Sequence, residues 1–235
     1  MLKDTLGDRM KLIYENPCRF YLKRMIRTTR RTPVVIRVNG IAFRTFTRNF
    51  PKPFSAKFMD AMIFAALHVA REAAGFKLGY VQSDEASFLL TDYDRSETQP
   101  WFGYNKSKLE SVSASIMTAA FNRAMRLVGV KDLATFDARA FGIPESEIAN
   151  YFLWRATNWS RNSVLMYAQA YFSHRELQGK SRDDMLEMLH GVDRNWSFDL
   201  VDAEKNGTFI IGAKTRDDVP PKYTSINELW ESVKP

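Results

Sequence analysis

Two short apolar runs, Phe76 to Val81 and Ala86 to Thr91, are separated by only Gln82-Ser83-Asp84-Glu85. A gap that short closes an antiparallel hairpin, and here it leaves two acids at the bend. The neighbouring segments narrow the topology further. Pro33-Val34-Val35-Ile36-Arg37-Val38 is a β-branched run bounded by Pro33 and by Asn39-Gly40, the pattern of a buried strand. From Ala56 to Ala74, Phe58, Met62, Ala65, His68 and Val69 recur at three- and four-residue spacing, which predicts a helix. Asn105 to Met125 predicts a second long helix, and Ala134 to Phe141 another strand. Met1 to Asn16 reads as helical. Beyond Pro144 the chain reads as mostly helical to about His190, with a late strand from Gly207 to Gly212.

The order strand, helix, strand, strand, helix, strand is the split βαβ arrangement of ferredoxin-like and polymerase-palm domains. The expected class is therefore α+β, an antiparallel sheet with both helices on one face. That palm-like unit would span residues 1–141 with a basic N-terminal segment. A mostly helical C-terminal region, 142–235, would pack on it.

Composition excludes several classes. The 235 residues are 45% hydrophobic and 26% charged, unlike a disordered tail, a collagen-like repeat or a coiled-coil rod. No stretch approaches the ~18–20 consecutive apolar residues of a membrane span. Met1 to Met10 lacks the apolar core of a signal peptide. Cys18 is the one cysteine and has no partner for an internal disulfide. A cytoplasmic protein with no membrane partner is expected. The net charge is +7, and Arg19, Lys23, Arg24, Arg27, Arg30, Arg31 and Arg37 follow one another with no acid between them. Such a run suits a phosphate backbone, so Arg19 to Arg31 are candidate RNA contacts. A solvated basic loop has the same pattern.

In a palm, the end of the first strand lies beside the hairpin of the next two. Here those are Asn39-Gly40 and Ser83-Asp84-Glu85. Carboxylates with open backbone carbonyls form a hard-oxygen site suited to Mg²⁺. Two such ions can activate an attacking hydroxyl and stabilise a leaving phosphate. Solvated turn acids are the competing reading, and strand alternation requires only one of the two acids to face a metal. Lys108, Ser111 and Ser115 share a helical stripe that suits either a triphosphate or a polar outer face. Other chemistries are poorly supported. There is no GxxxxGK[ST] loop and no GxGxxG followed by a suitable acid. His68, His174 and His190 are isolated, Cys18 lacks zinc-partner spacing, and the Trp and Phe residues at apolar spacing read as core.

Gly79-Tyr80-Val81-Gln82-Ser83-Asp84-Glu85-Ala86-Ser87-Phe88 resembles the hairpin of the tRNA-His guanylyltransferase family, and is closest to the bacterial and phage guanylyltransferase-like 3′–5′ polymerases. Further motifs follow in the same order. Leu6 to Lys11 with Tyr14-Glu15-Asn16 resembles the family's N-terminus. Val34 to Gly40 with Phe43, then Thr45 to Arg48, resembles its first palm strand and loop. Lys52-Pro53-Phe54, Lys108-Leu109 with Ser111, Phe136 to Arg139, Tyr151 to Arg155 and Arg161-Asn162-Ser163 complete the set, which covers roughly residues 6 to 190.

The resemblance implies a nucleotidyltransferase that adds GMP from GTP to the 5′ end of tRNA, growing 3′–5′, with two Mg²⁺ ions and ATP used to activate a 5′-monophosphate. It implies tRNA and nucleoside triphosphates as partners and assembly as a tetramer. Asp84 would be a metal ligand, with Gly40 offering its carbonyl and Asn39 beside it. Glu85 would support the catalytic site. Lys52, Ser83, Lys108, Ser111, Asn162 and Arg44 would contact nucleotide. The departures fall in the same region. The family's first-strand aspartate is Asn39 here, its next histidine is Arg44, and the acid after its lysine-proline element is Ser55. Its later glutamine and aspartate are Ala156 and Asn158. The implied alternative is a weakened or inactive member that binds nucleotide or tRNA.

Overall fold

The structure, a computed structural model, describes residues 28–235. The expected helix at Met1–Asn16 and the candidate RNA contacts Arg19, Lys23, Arg24 and Arg27 lie outside the described residues.

The elements, in chain order, are β1 (Val34–Ile41), α1 (Phe43–Phe46), α2 (Ala56–Glu72), β2 (Phe76–Gln82) and β3 (Glu85–Leu90). Next come α3 (Lys106–Leu127), β4 (Thr135–Gly142), α4 (Ile148–Ala168), α5 (His174–Leu177) and α6 (Arg182–His190). The chain continues with α7 (Trp196–Asp199), α8 (Asp202–Asn206), β5 (Thr208–Ile211), β6 (Lys214–Arg216) and α9 (Tyr223–Glu231). The antiparallel α+β palm is present and is extended. Its sheet runs β4-β1-β3-β2-β5-β6, so two strands from late in the chain continue it beyond β2.

Strand alternation sorts the side chains to two faces. Val34, Ile36 and Val38 of β1 and Phe88 of β3 point to α2 and α3, in a core with Met62, Leu109 and Phe121. Val35, Tyr80, Leu89 and Phe209 point the other way, against Phe152 of α4 and Trp230 of α9. Each fully buried side chain of this size contributes roughly 1.5–3 kcal/mol. The palm helices therefore cover one face, as the strand order requires, and the C-terminal region covers part of the other. Beyond the sheet, Val164 and Tyr167 of α4 form a third cluster with Leu189 and Trp196. No described helix is long and apolar enough to cross a membrane.

Local signals fix the helix starts. Ser55 accepts the Phe58 N–H at 3.4 Å and caps α2, and Asn105 accepts the Lys108 N–H at 3.1 Å to cap α3. Residues 213–235, for which the sequence suggested no role, supply β6 and α9. Ile226, Leu229 and Trp230 recur on the buried side of α9, a helical period short enough to be overlooked at a chain end.

Candidate active site

The hairpin that joins β2 to β3 turns on two residues, because Gln82 pairs with Glu85 across the ladder. Ser83 holds a positive φ of 46°, in the left-handed region that disfavours a side chain, and such strain clusters at working turns. The tip of β1 is stapled to this turn. The Gly40 N–H donates to the Asp84 carbonyl at 2.9 Å, and Asn39 lies opposite Glu85 in the register. Gly40 cannot be another residue without rearrangement, since a Cβ there would stand 2.2 Å from the Phe43 ring. Phe43 in turn stacks among Phe46, Phe58, Phe121 and Phe136 at centroid distances of 5.0 to 5.9 Å. This aromatic cluster anchors the segment between β1 and α2, which carries Arg44 on α1 and Lys52 beyond it.

Two cavities meet at the turn. The first, about 340 Å³, combines apolar Phe50, Met59 and Met62 with Arg44, Lys52, Ser83 and Asp84. The second, about 300 Å³, is lined by Asn39, Ser83, Asp84, Glu85, Arg155 and Asn162. Ser83 and Asp84 line both, so the acid at the bend borders an apolar chamber and a polar one. Burial raises the Asp84 pKa above the ordinary aspartate value, and the nearby Glu85 charge adds to the shift.

The two hairpin acids have separate surroundings. Glu85 is buried, and both its oxygens accept from Arg155, Oε1 from Nε at 2.8 Å and Oε2 from Nη2 at 2.9 Å. Gln82 Nε2 adds a third hydrogen bond at 3.2 Å, and Arg37 Nε stands 3.9 Å from Oε2. Glu85 therefore holds α4 to the hairpin, and Asp84 is the acid of the turn that lines both cavities. Asn39 turns its amide toward its neighbour, donating from Nδ2 to the Gly40 carbonyl at 3.3 Å.

That donor set decides which cation the site can hold. Among the described residues, no group of three or more His, Cys, Asp or Glu side chains stands ready for a metal. Asp84 offers one carboxylate, Asn39 an amide oxygen and Gly40 a carbonyl already engaged by Asn39. Mg²⁺ is commonly held by one or two carboxylates together with substrate phosphates. The residues fit one such ion arriving with a triphosphate, and they do not fit a pair held by protein alone.

The remaining sequence candidates are distributed unevenly. Lys52, Arg44, Ser83, Asn162, Asn39, Gly40 and Asp84 gather around the hairpin. Lys108 and Ser111 are exposed on α3 and line neither cavity. Arg30 and Arg31, the two candidate RNA contacts within the described residues, hold Asp92. The buried Asp92 carboxylate accepts from Arg30 Nε at 3.3 Å and from the Arg31 N–H at 2.8 Å.

Two tryptophans of α4 were not among the candidates. Trp154 is 55% exposed, with the Arg155 guanidinium 4.6 Å from its ring centre, although tryptophans at apolar spacing were expected in the core. Trp159 is buried and lines both cavities. Its position, four residues after Arg155, was the available signal.

The description tRNAHis guanylyltransferase fits a family profile that matches residues 18–144. The chain is similar to a bacterial tRNA(His) guanylyltransferase-like protein solved with ATP, with TM-score 0.90 and 40% identity over 98% of this chain and 100% of that one. A bacterial protein of the same description solved with GTP gives TM-score 0.82 and 37% identity, covering 99% and 100%. The tRNA(His) guanylyltransferase of Schizosaccharomyces pombe is 31% identical over 61% of this chain and 57% of its own length.

Proposed function

The chain belongs to the tRNAHis guanylyltransferase family, and on that premise we propose that it is a nucleotidyltransferase extending the 5′ end of a tRNA with GMP from GTP. One observation carries the proposal. The Gly40–Asp84 backbone hydrogen bond sets the β1 tip against an acid that borders two cavities at once. The bacterial relatives solved with ATP and with GTP support nucleotide binding by this chain.

On this reading the base enters the apolar chamber, and Lys52 and Arg44 receive the phosphates, whose charge they match. Asn162 and Ser83 contribute neutral donors at the junction with the polar chamber. Bound Mg²⁺ would supply charge neutralisation at the phosphates, with Asp84 and Asn39 as its protein oxygens. The 3′ oxygen of GTP bonds to the 5′ α-phosphorus of a triphosphorylated RNA. The bond to pyrophosphate breaks, and the hydroxyl proton leaves to solvent. Asp84 fixes the site of attack, and Glu85 positions the hairpin through Arg155.

The test is extension of a 5′-truncated, 5′-triphosphorylated tRNA with labelled GTP and Mg²⁺. The native chain is expected to extend it and Asp84→Ala to fail. A second reading, binding without chemistry, draws on the neutral Asn39 and its bond to the Gly40 carbonyl. Extension by Asn39→Asp with none by the native chain would favour it.

A further inference from the structure

Trp159 is 3% exposed, and its indole Nε1 has no hydrogen-bond partner among the described residues. A buried donor left unpaired costs about 1–3 kcal/mol. The same helix shows that this fold can satisfy an indole. One turn on, Ser163 Oγ accepts from Trp196 Nε1 at 3.0 Å. With the Thr28 and Tyr104 hydroxyls, Trp159 Nε1 is one of three buried side-chain polar atoms without a partner among the described residues, and the one of the three on a residue that lines the cavities at Asp84.

Its location identifies the class of partner. Arg155, Trp159, Asn162 and Met166 form one stripe of α4, and all four line the polar cavity beside Asp84. Trp159 and Met166 also line the apolar cavity. Across it, the Trp159 ring packs edge-to-face on Phe54 at 6.2 Å, next to the Lys52-Pro53 segment.

We propose that the missing partner is the bound nucleotide: Trp159 Nε1, closed to solvent in this structure, is uncovered as the nucleotide enters and donates to one of its acceptor atoms. The inference rests on the nucleotide-binding reading above and adds a binding residue to it. An indole donates and never accepts, so the atom it meets is a carbonyl oxygen or ring nitrogen of the base, a ribose oxygen (lost for GTP and ATP but not for tripolyphosphate), or a phosphate oxygen.

Trp159→Phe removes the donor and keeps an aromatic ring, and the full chain is titrated with GTP, ATP and inorganic tripolyphosphate. The expected result is about a threefold to tenfold loss of affinity with thermal stability unchanged or raised, because the unliganded variant no longer buries an orphan N–H. Loss confined to GTP assigns a base carbonyl, and equal loss for all three assigns phosphate; either supports the proposal. The indole ¹⁵N–¹H spectrum is a second measurement. The resonance absent from Trp159→Phe should move downfield with nucleotide while that of Trp196 stays. A variant that melts lower but binds as before, or a Trp159 resonance unmoved by all three ligands, overturns the proposal and leaves the nucleotide reading standing. A native chain that binds none of the three overturns both.

Discussion

Arg155 reaches from α4 to grip both oxygens of Glu85 on β3, at 2.8 and 2.9 Å, and both residues are buried. A bidentate pair of this kind sets position as well as energy. Removing one partner strands the other charge away from water. Arg155→Met is expected to lower unfolding stability by about 3–5 kcal/mol, and Arg155→Met with Glu85→Leu to recover most of it, as read by urea denaturation. Arg155→Lys loses the fork and should fall between them.

The ionised form of Asp84 is expected to work against folding. Burial raises its pKa, so the folded chain holds that proton more tightly than the unfolded chain does. The cost is absent below the unfolded value near 3.8 and grows as pH rises through the folded value. Asp84→Asn should therefore melt about 2 °C higher than the native chain at pH 7 while abolishing extension of RNA. The advantage should vanish in melts below pH 4, and a constant offset across pH would show that ionisation is not its source.

Asn39→Asp places a second carboxylate beside Asp84. A unit pair at ~4 Å is worth about 4 kcal/mol at an effective dielectric of ~20. The variant should melt lower than the native chain in a chelator and higher in Mn²⁺. Its Mn²⁺ affinity without nucleotide, measured by electron paramagnetic resonance, should rise at least about tenfold. The native chain should bind Mn²⁺ well only with nucleotide present.

Arg30 serves structure before it serves any ligand. It helps to neutralise Asp92, which is 1% exposed. Asp92→Ala should cost about 2 kcal/mol by leaving the Arg31 N–H unpaired. Arg30→Ala should cost about 1 kcal/mol, because its side chain is 57% exposed and solvent screens the pair. Chemical denaturation of the two variants gives both values.

The palm was legible because its signals are local. The β-branched run of β1 and the four-residue gap between the hairpin runs each specify an element without tertiary information. The meeting of Asn39-Gly40 with Asp84 followed from topology. The fork that ties Glu85 to α4 did not, because Arg155 lies 70 positions from its partner. Lys108 and Ser111 share a convincing stripe, yet a stripe does not say whether it faces ligand or water, and here it is exposed. Trp159 lay hidden among aromatic residues that do form core. Its distinguishing mark is an absent hydrogen bond, which only coordinates reveal.

β2 leads into the acid turn, and its outer edge is covered by β5, with the Tyr80 hydroxyl donating to the Asn206 carbonyl at 2.6 Å. A chain emerging from the ribosome completes β1 to β4 long before Ile211 is made. Through that interval β2 is an unprotected border of the sheet, open to any stray strand. The acid turn gains its final support from a strand translated after the whole palm, so a chain stopped before Thr208 would carry every residue of the hairpin without the scaffold that steadies it.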